Sequence, residues 1–187
     1  LTNVDGLSNI IRVGSVSIET NAALTNIDGL ANLISVASTV GIWDNDALTN
    51  LDGLANITSA RGALYITDND ALTNVDGLAN ITGVVDYLAI DSNAALTNVD
   101  GLANITGVNW LFIHNNAVLT NVDGLSNIIR VGSVSIENNA APTNVDGHAR
   151  INAVPGDLRI VSNSALTNCQ GVASVLGWPK GPPDDSV

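Results

Sequence analysis

A string of fourteen residues, A-L-T-N-V-D-G-L-A-N-I-T-G-V, fills residues 71–84 and returns unchanged at residues 95–108. Near copies occupy most of the remaining chain. They open at Leu1, Leu24, Leu48, Leu72, Leu96, Leu119, Pro142 and Leu166, so successive starts lie 23 or 24 residues apart. A fixed period of this size marks an architecture in which each repeat is one small unit that buries its apolar face only by stacking on its neighbours. The first and sixth copies differ only at Thr20 against Asn138, the mark of a segmental duplication.

Each copy carries two hydrophobic periods. Leu72, Val75, Leu78 and Ile81 recur at every third residue, whereas Leu64 and Ile66 alternate around Tyr65 in the two-residue period of a strand. No stretch sustains a helical period, and a Gly in every copy discourages one. The expectation is one strand per copy joined to an extended or turn-like side. Near polyproline II geometry, successive triplets on that side would lie about 9 Å apart. The fold class that follows is all-β: a right-handed parallel β-solenoid of about eight coils of 23–24 residues, with little or no helix. At the strand spacing of about 4.8 Å it is a rod about 38 Å long. It forms a single unit over residues 1–178, followed by a flexible, Pro-rich tail at residues 179–187. Coil seven loses the pattern at Pro142, His148 and Arg150. Coil eight puts Cys169 at a core position as a small hydrophobe, and Trp178 is expected to lid the last layer.

The L-x-I-x-x-N-x-A-L segment resembles a leucine-rich repeat, and the whole coil looks most like the receptor L-domain type from Leu1 to about Gly171. Unlike helix-bearing leucine-rich repeats, it has no helical convex segment. The resemblance implies a binding protein and leaves the ligand open, because that superfamily binds very different things.

Polar columns run through the repeat. Asn at 21, 45, 69, 93, 116, 139 and 163 reads as an amide turned inward at a strand end, satisfying backbone groups of adjacent coils. The Asp-Gly column from Asp5 to Asp146 reads as a row of Asx turns. It lacks the Gly-rich nonapeptide of calcium-binding β-rolls, so no metal is expected. With His114 and His148 as the only histidines, no coil supplies a nucleophile, a base and an orienting group. A non-enzyme without cofactors is expected. Eighteen acidic residues against six dispersed basic ones, a net charge of -12, argue against nucleic acid and anionic membrane. No apolar run is long enough to insert across a bilayer. Met is absent, and aromatic residues are scarce, so Leu, Ile, Val and Ala fill the core. The sequons at Asn56, Asn80 and Asn104 fall out of the repeat itself. A secreted or extracellular setting is the expectation, with the chain a mature form or a fragment, monomeric or weakly homodimeric.

Two surfaces are candidates for function. The period-three side carries Thr2, Thr25, Thr49, Thr73, Thr97, Thr120 and Thr143 in one file, with Asn26, Asn50, Asn74, Asn98 and Asn121 beside it. Such a flat grid of hydroxyls, amides and methyls is similar in kind to the Thr files of β-solenoid antifreeze proteins. The leading expectation is therefore adsorption to an ice crystal surface. The outward side of the strands carries Trp43, Tyr65, Tyr87, Trp110, Phe112 and His114, which resemble an interface hot spot for a protein or glycan ligand. A structural spacer rod is a third alternative.

Overall fold

The computed structural model describes residues 1–141 and 150–167. The expectations for Pro142, Thr143, Asp146, His148, Cys169, Trp178 and residues 179–187 concern positions outside these. Within them the chain is a parallel β-solenoid of about six turns with no long helix. The main sheet runs β2 (Val16–Glu19), β4 (Val40–Trp43), β5 (Ala63–Thr67), β6 (Gly83–Asp91), β7 (Ile105–His114), β8 (Arg130–Glu137) and β9 (Leu158–Val161). A short second sheet pairs β1 (Arg12–Val13) with β3 (Ser35–Val36). Every pairing is parallel, and the register matches equivalent repeat positions, as in Ile42, Ile66, Ile90, Ile113 and Ile136. Leu64, Leu88 and Leu111 form the companion column, and both columns are fully buried from β5 to β7.

Of the extended and turn-like forms expected for the side with the three-residue period, its Asp-Gly-Leu segments take the turn-like one. Asp5–Leu7, Asp28–Leu30, Asp52–Leu54, Asp76–Leu78, Asp100–Leu102 and Asp123–Leu125 are single turns of 3₁₀ helix. Backbone bonds between residues three apart flank and close these turns, as from Leu72 to Asn69, Leu78 to Val75 and Ile81 to Leu78, at 2.9–3.1 Å. Between Leu72 and Val75 the chain bonds to its neighbour instead, Thr73 N–H donating to the Thr49 carbonyl. Both helices have three residues per turn, so both put every third side chain on one line. Only the 3₁₀ form closes internal hydrogen bonds. Leu72, Val75, Leu78 and Ile81 all point at the core, where each is at most 1% exposed.

Glycine in the Asp-Gly pair lets adjacent coils touch. A Cβ on Gly77 would lie 1.9 Å from the Leu51 carbonyl oxygen, and Gly53 and Gly101 are equally close to Ile27 and Val75. The Asx turn lies two residues earlier than expected. Oδ1 of Asn50, Asn74, Asn98 and Asn121 accepts the N–H of Asp52, Asp76, Asp100 and Asp123. The aspartates begin the 3₁₀ turns and donate the N–H of the Asx bond, while the asparagines supply its side-chain oxygen.

At the strand ends, the inward Asn column forms the expected ladder. Asn69 Nδ2 donates to the carbonyls of Thr67 and Ile42 and to Asn93 Oδ1, while its own Oδ1 accepts from the N–H and Nδ2 of Asn45. Asn45, Asn93, Asn116 and Asn139 repeat the pattern, each fully buried. Among the described residues the position between strand and ladder is left-handed in each coil, with φ of 53–56° at Thr20, Asp44, Asp68, Ser92, Asn115, Asn138 and Ser162. Short polar side chains are those that best tolerate this region.

The close approach at glycine gives a matched test. Gly77→Ala should destabilise by about 3 kcal/mol, at the upper end of ordinary overpacking, because the new methyl meets backbone. Gly6 occupies the same repeat position with nothing within 4 Å, so Gly6→Ala should stay within about 0.5 kcal/mol. Urea unfolding of the two variants checks this; equal midpoints would mean that the coils do not touch at glycine.

Candidate functional site on the strand face

The outward residues of the main sheet fall in three columns. One holds Ala63, Tyr87, Trp110 and Ser133; the next Gly41, Tyr65, Ala89, Phe112 and Ser135; the third Trp43, Thr67, Asp91, His114 and Glu137. Large and small residues alternate along the middle column, which gives each ring room to lean over a neighbour. The indole of Trp43 lies so close over Gly41 that a Cβ there would overlap it. Ala89, between Tyr65 and Phe112, is 7% exposed although it points outward.

The result is one continuous chain of rings. Centroid separations are 6.4 Å from Trp43 to Tyr65, 5.1 Å from Tyr65 to Tyr87 and 5.1 Å from Tyr87 to Phe112. Phe112 then meets Trp110 at 6.5 Å and His114 edge-on at 5.5 Å. These are separations at which aromatic pairs attract. The structure thus brings together Trp43, Tyr65, Tyr87, Trp110, Phe112 and His114 across β4 to β7, about 14 Å along the axis at the spacing of strands. Trp110 stands out at 47% exposed, and the others are half-buried. Burial, then Tyr65 and Asp91, pushes the Tyr87 hydroxyl above its ordinary pKa.

Polar groups close the strip at both ends. Trp43 Nε1 donates to Glu19 at 2.6 Å. At the other end His114 Nε2 lies 2.9 Å from Ser135 Oγ, which donates to Glu137, and Arg159 Nε donates to the same carboxylate at 2.7 Å. Sequence reasoning missed this cluster, because its members come from three coils and meet only once the register is known. Its order is unlike that of a catalytic triad: the acid holds the serine, while the histidine has its contact on the serine side, and Ser135 is 4% exposed. The hydrogen bonds from Arg159 and then Ser135 hold the Glu137 carboxyl at about 2.

The Thr and Asn of the three-residue side are locked into the stack. Thr25, Thr49, Thr73, Thr97 and Thr120 are exposed, as is Thr2, while Asn26, Asn50, Asn74, Asn98 and Asn121 are half-buried. The hydroxyls of Thr49, Thr73, Thr97 and Thr120 each donate to the carbonyl of the preceding Thr, at 3.0–3.3 Å. Nδ2 of Asn50, Asn74 and Asn98 donates to the neighbouring Thr hydroxyl at 3.3 Å. The sequon amides of Asn56, Asn80 and Asn104 donate at 2.7 Å to carbonyls of the preceding coil, so the glycan attachment atom is already engaged. Among the described residues no group of three or more His, Cys, Asp or Glu is arranged to hold a metal ion.

Glu137 sets an acid signature. Its folded pKa lies below the ordinary 4.5, so its stabilisation is complete above that value and disappears as pH falls toward 2. Glu137→Gln should therefore flatten the loss of melting temperature between pH 4.5 and 2 relative to the parent. Identical slopes in a pH series of thermal melts would refute the contact.

Comparison of the chain with protein-family models, curated proteins and solved structures finds no match.

Proposed function

We propose that the chain is a non-enzymatic recognition module, a leucine-rich-type solenoid akin to receptor L-domains, that binds a macromolecular ligand through the aromatic strand face. The observation carrying this reading is the unbroken contact of six rings at positions where the coils differ from one another. The Thr and Asn columns recur because each coil must bond to the next. Their regularity is therefore accounted for without a ligand. The rings follow no such rule. Indole and phenol groups on a firm sheet lose little freedom on docking and typically dominate interface energies, at about 2 kcal/mol or more for a central residue. The finer architecture belongs to the same proposal: eight coils, from the eight sequence starts, wound right-handed as parallel crossovers are in about 98% of cases. So do a secreted or extracellular setting and a monomer or weak homodimer.

The test is a selection. Parent protein and a Tyr65→Ala, Phe112→Ala double variant are each presented to a glycan array and to a displayed random-peptide library. The parent should retain a defined set of ligands, and the variant, folded by circular dichroism, should lose at least about tenfold in affinity for each. Unchanged selection by the variant would end the reading.

Ice adsorption through the Thr/Asn face is the second reading, supported by the exposed Thr25, Thr49, Thr73, Thr97 and Thr120 at equivalent positions of successive coils. Thermal hysteresis of a dilute solution should then be measurable. Thr73→Tyr should abolish it, because one protruding ring lifts the neighbouring coils out of dispersion range. Thr67→Tyr, on the strand face, should leave it intact. Absence of hysteresis in the parent removes this reading altogether.

A further inference from the structure

The charges bordering the aromatic strip are unevenly placed. The left-handed position after each strand is Asp44 and Asp68 in the coils that carry Trp43 and Tyr65, but Thr20, Ser92, Asn115, Asn138 and Ser162 in other coils. Two residues further on stand Asp46 and Asp70, where other coils carry Ala22, Ala94 and Ala117. The backbone therefore does not require aspartate at either place, since neutral residues fill the same geometry. All four carboxylates are exposed and lie on adjacent coils, and Asp91 extends the row into the sheet. Like charges on neighbouring strands repel, so this arrangement costs stability that neutral residues would not. Among the described residues no arginine answers it. Arg12 and Arg130 begin β1 and β8 and Arg61 precedes β5, all at the N-terminal side of the strands, Arg150 donates to Asn127, and Arg159 is held by Glu137.

We infer that the ligand of the strand face is a basic polypeptide segment, whose arginine side chains stack on the rings of Trp43, Tyr65 and Tyr87 while the Asp44–Asp68–Asp91 border neutralises their charge. The inference rests on the strand face being the binding surface and adds the chemistry of the partner. Two features favour it over a neutral sugar chain. Aromatic faces attract cations within about 6 Å of the ring centroid. The carboxylates supply the counter-charge on the same edge, in a chain whose net charge is -12. Arginine fits better than lysine, because a planar guanidinium stacks on a ring and still donates in its own plane to a carboxylate.

Fluorescence anisotropy with labelled peptides of equal length, alternating Arg-Gly, Lys-Gly or Glu-Gly, tests the inference. The Arg peptide should bind, the Glu peptide should not, and the Lys peptide should bind several-fold more weakly than Arg. Tyr65→Ala or Tyr87→Ala should weaken the Arg peptide about tenfold with circular dichroism unchanged, in line with a desolvated cation–π contact. Asp68→Asn with Asp91→Asn should weaken it similarly in about 0.05 M salt and much less in about 0.5 M, where screening removes the border's contribution. Equal binding of Arg and Lys peptides, indifferent to the Tyr substitutions, would reduce the effect to attraction by net charge and overturn the inference. A neutral glucan hexasaccharide that binds and is lost in the same Tyr variants would also overturn it, while leaving the strand face as the binding surface. Failure of all the peptides to bind would overturn it too, and the array selection would then decide the face by itself.

Discussion

A coil that stacks on copies of itself must hand its backbone groups to the next coil wherever the chain turns, because there the regular strand ladder stops. The buried asparagine amide solves this at the strand end. One carboxamide accepts twice from the preceding coil, and donates within its own coil, to the preceding one and to the next. A buried carbonyl or N–H left without a partner costs about 1–3 kcal/mol, so each rung holds several such costs off at once. The same solution recurs at the other corners: Thr73 Oγ1 to the Thr49 carbonyl, Asn80 Nδ2 to the Ala55 carbonyl. The consensus letters are largely a list of these bonds. Glycine at the 3₁₀ turn sets how close the coils come, and hence whether the bonds reach.

Much of this was legible in the sequence. The alternation at Leu64 and Ile66 placed the strands, and the Asn column announced an inward ladder. For the three-residue side the sequence leaves extended and turn-like forms open for a physical reason: two helices share its periodicity, and only one of them closes its hydrogen bonds inside the chain. Side-chain spacing does not distinguish them. The sequence points to Asp76 as the turn-forming residue, whereas the bond is made by Asn74, since both types make Asx turns. The aromatic residues were placed on one face by alternation alone. Their mutual contact is not legible, because it depends on the room that Gly41 leaves for Trp43 and on Ala89 lying between Tyr65 and Phe112 of the adjacent coils. The cluster of His114, Ser135, Glu137 and Arg159 was invisible for the same reason.

The positions divide into those that make the stack and those that the stack leaves free. Thr, Asn, Asp-Gly and Leu recur because neighbouring coils constrain them. The outward strand residues and the left-handed position accept alternatives, as Gly41, Tyr65, Ala89, Phe112 and Ser135 in one column demonstrate. Chemistry that distinguishes this chain from any other stack of the same coils sits at the free positions, and there the rings and the surplus carboxylates lie side by side.

Near-identity between coils also creates an ambiguity that the aromatic strip resolves. The segments at 71–84 and 95–108 are interchangeable letter for letter, so a growing stack that skipped a coil would find the same asparagine, glycine and leucine partners waiting. Such a frameshift keeps the core and ladder contacts across the new junction and loses those of the coil left out, a competing arrangement of the kind that minimally frustrated sequences avoid. The rings are not interchangeable. Tyr65 fits over Ala89, and Phe112 closes on Tyr87, only when each strand lies beside its proper neighbour. A skipped coil would crowd two large rings or leave two small residues facing each other. The strip therefore numbers the coils, giving an otherwise repetitive chain a unique order of assembly.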